Sequence, residues 1–190
     1  VTPYYNKATP KGLIKHFTAI ADATNKPIIL YNVPSRTGVN ISLPVYKELA
    51  KHDRIVAAKE ASGNISAVAT LAEACGNSLD IYSGNDDQIV PILSLGGKGV
   101  ISVLSNVVPK DTHDIVALWN EGKTKESLAL QLNYLDLINA LFCEVNPVPV
   151  KTAMGLMGLC ADEMRLPLCE MEENTKERLA TALRNHGIID

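Results

Sequence analysis

An alternation constrains this sequence more than anything else in it. Short, largely apolar runs recur at Pro27–Tyr31, Ile55–Ala58, Leu79–Tyr82 and Gly99–Val103, broken only by Asp80 and Ser102, and each ends in a polar or glycine-bearing loop. Runs of that length without a polar face read as strands buried in a parallel sheet. Helical spacing fills the gaps. Gly12–Thr24 carries Leu13, Ile14, Phe17, Ile20 and Ala21 on one face, and Leu43–Lys51 has Ser42 as N-cap and Pro44 in its first turn. Ile65–Ala74, stopped by Gly76-Asn77, and Asp86–Leu95, closed by Gly96-Gly97, complete the set. The unit repeats at roughly 25 residues, and crossovers that short require parallel strands, so the expected class is α/β.

Two further expectations concern extent. Val1–Tyr5 reads as a strand end, opening without methionine or a targeting segment, as expected of a fragment that lacks its N-terminal portion. After about Val108 the strands stop, and Lys110–Asn120, Lys123–Phe142, Val148–Leu159 and Glu172–Asn185 read as helices. The expected division is residues 1–107 as barrel or sheet, and 108–190 as the last barrel helix followed by a helical region.

Composition excludes several functions. A formal charge of −3 leaves no basic footprint for nucleic acid. No apolar run approaches a membrane span. The histidines His16, His52, His113 and His186 form no i, i+4 metal pair, so no metal or cofactor is expected. Cys75, Cys143, Cys160 and Cys169 show no paired spacing and read as reduced, buried thiols of a cytoplasmic protein.

The unusual residues fall after strands, where α/β folds collect their chemistry. Lys59 ends the run Ile55–Ala58. A lysine there either leaves the core for water or serves as an amine that forms a Schiff base with a carbonyl. At its ordinary pKa only about one lysine in 2,500 is neutral at pH 7, and burial raises that fraction. Alternation puts Lys59 on one face with Ala57, and Tyr31 on one face with Ile29. Tyr31 is either a core aromatic or a proton carrier beside the amine. Arg36, in the turn Pro34–Gly38, is either solvated or a carboxylate clamp. Gly84 either shapes a helix start or lets backbone approach a ligand. Asp86 and Asp87 read as acids of a helix first turn, not as metal ligands.

Six motifs in register carry a resemblance. They are V-T-P-Y-Y-N-K at Val1–Lys7, Y-N-V-P-S-R-T-G at Tyr31–Gly38, K-E-A-S-G-N at Lys59–Asn64, S-G-N-D-D at Ser83–Asp87, G-G-K-G-V-I-S-V at Gly96–Val103 and N-P-V-P-V-K at Asn146–Lys151. The sequence resembles the dihydrodipicolinate synthase (4-hydroxy-tetrahydrodipicolinate synthase) family of the N-acetylneuraminate lyase superfamily. The resemblance implies the C-terminal portion of a (β/α)8 TIM barrel with a helical tail. It implies that pyruvate condenses on Lys59 and that the enamine attacks L-aspartate-4-semialdehyde, opening the lysine (diaminopimelate) branch. Tyr31 would donate and accept the proton, and Tyr5 would be a relay tyrosine offered across a subunit interface. Arg36 would receive the semialdehyde carboxylate, Gly84 would line the pocket, and the backbone of Ile101 would touch pyruvate. It also implies a homo-oligomer, a tetramer built as a dimer of dimers.

The family's N-terminal strands, with a threonine pair that completes the relay, are not matched by anything in this sequence. About three and a half of eight βα units are missing by this alignment. The 190 residues alone are therefore expected to be inactive and aggregation-prone, with unpaired strand edges. Two other functions share the lysine and the tyrosine. One is an N-acetylneuraminate lyase or 2-keto-3-deoxy sugar acid aldolase, against which Arg36 argues. The other is a catalytically silent regulator, against which intact Lys59 and Tyr31 argue.

Overall fold

Each apolar run becomes a strand because it has a helix to bury against. In the computed structural model, which describes all 190 residues, β1 (Ile28–Asn32), β2 (Ile55–Glu60), β3 (Asp80–Ser83) and β4 (Gly99–Val100) form one parallel sheet in chain order. Helices α1 (Pro10–Asp22), α2 (Pro34–Thr37), α3 (Leu43–Leu49), α4 (Ile65–Cys75) and α5 (Ile89–Ser94) alternate with the strands. This is a run of βα units from a (β/α)8 barrel, with every crossover parallel.

The core of this part lies between the strands and their helices. Leu30 and Ala58 from the sheet meet Phe17, Val45, Leu49, Val68 and Leu71 from the helices, all buried. Truncating Leu30, which is fully buried, to alanine would cost about 2–5 kcal/mol. The opposite sheet face is less covered: Ile29 is 46% exposed, and Tyr31 and Lys59 are partly buried.

One irregularity in the sheet decides its chemistry. Ile28 pairs with Ile55, but Ile29 pairs with Ala57, so β2 skips one residue at Val56. From there Tyr31 pairs with Lys59 and Asn32 with Glu60. Without the skip Tyr31 would pair with Ala58, and it would lie on the opposite face from Lys59.

The chain divides into two compact units, Val1–Ile101 and Ser102–Asp190. The second unit carries helices and no strand: α6 (Pro109–Asn120), α7 (Thr124–Asn133), α8 (Leu135–Leu141), α9 (Val148–Leu156) and, after an irregular stretch over 157–172, α10 (Glu173–Asn185). Its own core joins Leu137, Leu141, Val148, Ala153, Leu179 and Leu183. No helix in the protein is long and apolar enough to cross a membrane.

Several expected elements differ. Val1–Tyr5 is not a strand: Tyr5 and Lys7 have φ of 68° and 49°, in a turn closed by the Asn6 amide on Tyr4 O. A residue at positive φ cannot continue an extended run. Asp86–Leu95 is not one helix but a 3-10 turn, Asp86–Gln88, followed by α5. Restarting at Ile89 keeps Pro91 in a first turn, where its missing N–H costs least. The strand expected at Gly99–Val103 is regular only over Gly99–Val100, although the Ile101 amide still bonds Ser83 O.

Lys123–Phe142 breaks at Tyr134 into α7 and α8. There the Tyr134 ring stacks on His186 at 4.7 Å, and its hydroxyl donates to Asp111. Those two tertiary partners fix a backbone kink that helical periodicity does not register. Ser42 sits at the start of α3 without a side-chain cap bond. All four cysteines are free, but only Cys75 is buried, and Cys160 and Cys169 are exposed.

Candidate active site

Lys59 occupies the last turn of the β2 pleat, on the face shared with Ala57. Its Nζ lies over the Tyr31 ring, 4.3 Å from the centroid. The contact follows directly from register, because the two residues are paired across neighbouring strands. Burial pushes the Lys59 pKa below the ordinary lysine value; the negative charge of Asp86 opposes that shift and the positive charge of Arg36 adds to it. Burial and each of these charges change the neutral fraction of the amine, which is the nucleophilic form.

The loops around the lysine are held by bonds that extend the strand ladder one residue past each strand. The Ala61 amide donates to Asn32 O, the Gly84 amide to Glu60 O at 2.7 Å, and the Ile101 amide to Ser83 O. Gln88 Nε2 reaches Gly63 O and ties the loop after β3 to the loop after β2. Gly84 lies beneath the lysine stem. A Cβ there would come within 3.0 Å of Lys59 Cε and 2.6 Å of Ala61 Cβ, so a side chain at this position would displace the amine.

Arg36 lies in α2, a single turn that begins at Pro34 and ends at Gly38 with φ 66°. The buried Thr37 hydroxyl bonds Val33 O and Val39 O, which fixes this turn after β1. Arg36 is exposed, and its charge reaches Lys59. The structure thus brings Lys59, Tyr31, Gly84 and Arg36 to the carboxyl ends of adjacent strands, with Ile101 at the next strand end. Tyr5 is not drawn into this cluster. It is 94% exposed in its turn.

Two residues join the site unannounced by the sequence. Tyr82 of β3 pairs with Lys59 from the side opposite Tyr31, so the lysine is flanked by tyrosine positions on both neighbouring strands. Asp86 opens its 3-10 turn as expected of a first-turn acid, yet it is only 2% exposed and its charge acts on Lys59. Strand pairing could have revealed Tyr82. Nothing in the spacing of Asp86 foretells its burial.

A strand-end lysine with a lowered pKa, beside a tyrosine ring and within the field of one guanidinium, stands where (β/α)8 barrels collect their chemistry, and that places the protein in the class of barrel proteins of this architecture. The chain belongs to the Dihydrodipicolinate synthetase family, whose model matches residues 1–186. It is 60% identical over 190 residues to a 4-hydroxy-tetrahydrodipicolinate synthase of Lachnoclostridium phytofermentans, covering 100% of this chain and 65% of that protein. It is 57% identical over 189 residues to a 4-hydroxy-tetrahydrodipicolinate synthase of Clostridium perfringens, again 100% of this chain and 65% of the relative. Among solved structures it resembles the chloride-inhibited dihydrodipicolinate synthase of Acinetobacter baumannii complexed with pyruvate. The TM-score is 0.96 at 41% identity, over 99% of this chain and 65% of that one. The chain thus spans 65% of the length of these relatives.

Proposed function

We propose that this chain carries the Schiff-base centre of a class I lyase that condenses pyruvate with L-aspartate-4-semialdehyde to 4-hydroxy-tetrahydrodipicolinate, in lysine biosynthesis. The observation that carries the reading is Lys59 itself: an amine at a strand's carboxyl end, its pKa lowered by burial, lying on the ring of Tyr31. Pyruvate in the complex of the Acinetobacter relative supports the choice of ketone.

The chemistry asks for little more than an uncharged amine and a place for protons. The Lys59 nitrogen adds to the ketone carbon of pyruvate, and the carbinolamine loses water to give a protonated imine. Loss of a methyl proton gives the enamine, whose carbon attacks the aldehyde, and the new alkoxide takes up a proton. Attack of the semialdehyde's own amine on the imine carbon closes the ring and frees Lys59. Tyr31 carries protons in these steps and Tyr5 relays them. Arg36 receives the carboxylate of the semialdehyde as a bidentate clamp. Gly84 and the Ile101 backbone bound the pyruvate site. Residues 1–107 supply barrel structure and 108–190 the helices that follow. The working protein is a cytoplasmic homo-oligomer, a tetramer of paired dimers.

The test is borohydride reduction in the presence of pyruvate, on the protein expressed from its complete gene. A reduced pyruvyl group on the Lys59 peptide, lost in Lys59→Arg, is the expected result. Labelling on another lysine, or none, removes the reading. Turnover of the semialdehyde at a rate well above that of N-acetylneuraminate cleavage then separates this activity from the sugar-acid aldolases.

A further inference from the structure

Directly behind the lysine lies a polar cluster that the reaction does not use. Glu60 follows Lys59 in β2 and so faces the helices, not the amine. It is 5% exposed, and its two partners Asn32 and Tyr46 are 1% and 3% exposed. Burying a carboxylate costs free energy unless its oxygens are bonded, and here both are. Asn32 Nδ2 donates to Oε1 at 2.6 Å and the Tyr46 hydroxyl donates to the same oxygen at 2.9 Å. The Ser62 hydroxyl donates to Oε2 at 2.7 Å and the Ser62 amide at 3.3 Å.

Each bond fixes a different piece of the site. Asn32 is the residue next to Tyr31 and pairs with Glu60 across the strands. Its Oδ1 accepts the Ile41 amide at 3.0 Å, and its Nδ2 also donates to Asn40 Oδ1 at 2.8 Å, so it anchors the far end of the Arg36 segment. Ser62 belongs to the loop after Lys59, and its hydroxyl accepts the Asn64 amide where α4 begins. Tyr46 brings in α3. One carboxylate therefore ties β1, β2, α3 and two loops on the side away from the chemistry.

We propose that Glu60 is the positioning residue of this site: clasped by Asn32, Tyr46 and Ser62 behind the sheet, it holds the ends of β1 and β2 so that Lys59 and Tyr31 stay opposed on the front. The inference rests on the Schiff-base reading of Lys59. Glu60 acts through its neighbours. It faces away from the amine, and the charges that act on Lys59 are those of Asp86 and Arg36. Proton transfer between a phenol and a bound intermediate is sensitive to small displacements, whereas a lysine on four methylenes tolerates them when it first captures the ketone.

The test is Glu60→Gln in the protein from the complete gene. The amide replaces an acceptor with a donor facing Asn32 or Ser62, while its size is unchanged. A cavity of about 220 Å³ beside it, lined by Asn40, Tyr46, Ser62 and Thr70, gives water access to the mismatched groups, which favours a folded variant.

The expected result is a fall in kcat of about ten- to a hundredfold, with KM for pyruvate within about twofold of the parent. Borohydride trapping of pyruvate should keep the parent's midpoint pH. The double variant Asn32→Asp with Glu60→Gln reverses donor and acceptor, and it should recover most of the lost kcat. Tyr46→Phe removes one donor only and should lower kcat by a few-fold; it carries the decision if Glu60→Gln does not fold.

A folded Glu60→Gln with parental kcat, a shifted trapping midpoint, or no rescue in the double variant overturns the proposal. So does an unaltered kcat in Tyr46→Phe when that variant has to decide. If the parent protein itself traps no pyruvate, the Schiff-base reading has failed, and that outcome is distinct from any of these.

Discussion

The two faces of the β1–β2 pair carry polar residues one position apart and treat them in opposite ways. On the front, Tyr31 and Lys59 are partly buried, and the amine rests on a ring. On the back, Asn32 and Glu60 are nearly inaccessible, and both carboxylate oxygens accept hydrogen bonds. A satisfied buried network rigidifies its surroundings, while an amine denied full hydration is primed to lose its proton. The same two strands thus withhold hydration on one side and bond every oxygen on the other. On the reading proposed above, the contrast teaches that reactivity would come from what Lys59 is not given, and precision from what Glu60 is.

The largest effect should come from emptying the front face. Lys59→Met is expected to abolish pyruvate trapping and turnover altogether, with the fold retained by circular dichroism. Such a variant that still turns over would dissolve the distinction between the faces. Next comes Tyr31→Phe, which keeps the ring under the amine and removes only the hydroxyl. Trapping should survive, while kcat falls by about 10²–10⁴-fold, the range for a lost proton carrier. Equal losses in trapping and turnover would mean that the ring, not the hydroxyl, is what matters.

Gly84→Ala attacks the front from below. Its methyl would overlap Ala61 Cβ and press on Lys59 Cε. A misplaced amine should lose about 10²-fold in kcat, and the crowding should lower stability by about 1–3 kcal/mol, read from kcat and from urea unfolding. Wild-type activity would show that the lysine stem can move aside freely.

Smaller effects should appear on the pH axis. Because burial lowers the Lys59 pKa, the trapping rate should rise with pH to a midpoint below that of an ordinary lysine. Arg36→Gln removes a charge that lowers this pKa, so the midpoint should move up. Asp86→Asn removes one that raises it, so the midpoint should move down. Stability follows the same sign: with the folded pKa depressed, the unfolded chain binds more protons between the two pKa values. This group's contribution therefore becomes more favourable as pH rises through that window. Midpoints that move together would separate these charges from the amine.

The smallest signal belongs to the back face. Burial first, then the charge and hydrogen bond of Glu60, push the Tyr46 phenol well above its usual range. Ultraviolet titration should leave two tyrosines un-ionised past the point where exposed tyrosines have titrated: Tyr46, and Tyr134, whose phenol burial and the Asp111 carboxylate push up to about 12. In Tyr46→Phe the late step should fall from two phenols to one.

Much of the fold was legible because burial imposes a period. The runs at Pro27–Tyr31, Ile55–Ala58 and Leu79–Tyr82 mark strands that the structure places within two residues of those bounds, since positions covered by helices must be apolar; Asp80, the one charge among them, is exposed where β3 begins. The same logic placed Lys59 and Gly84 at strand ends and Arg36 in the turn that follows β1. It failed where a local geometry overrides the pattern: the positive φ at Tyr5, the restart before Pro91 and the kink at Tyr134, each set by contacts or constraints outside hydrophobic periodicity.

The sequence by itself determined which residues stand at the mouths of the strands, because that follows from where apolar runs stop. Only the tertiary structure decided which of them face one another. A single skipped residue at Val56 reverses the parity of every pair beyond it, and it puts Tyr31 opposite Lys59 and Asn32 opposite Glu60. The lowered pKa of Lys59 is likewise a tertiary property, since dehydration and the fields of Asp86 and Arg36 depend on distances that no one-dimensional spacing encodes.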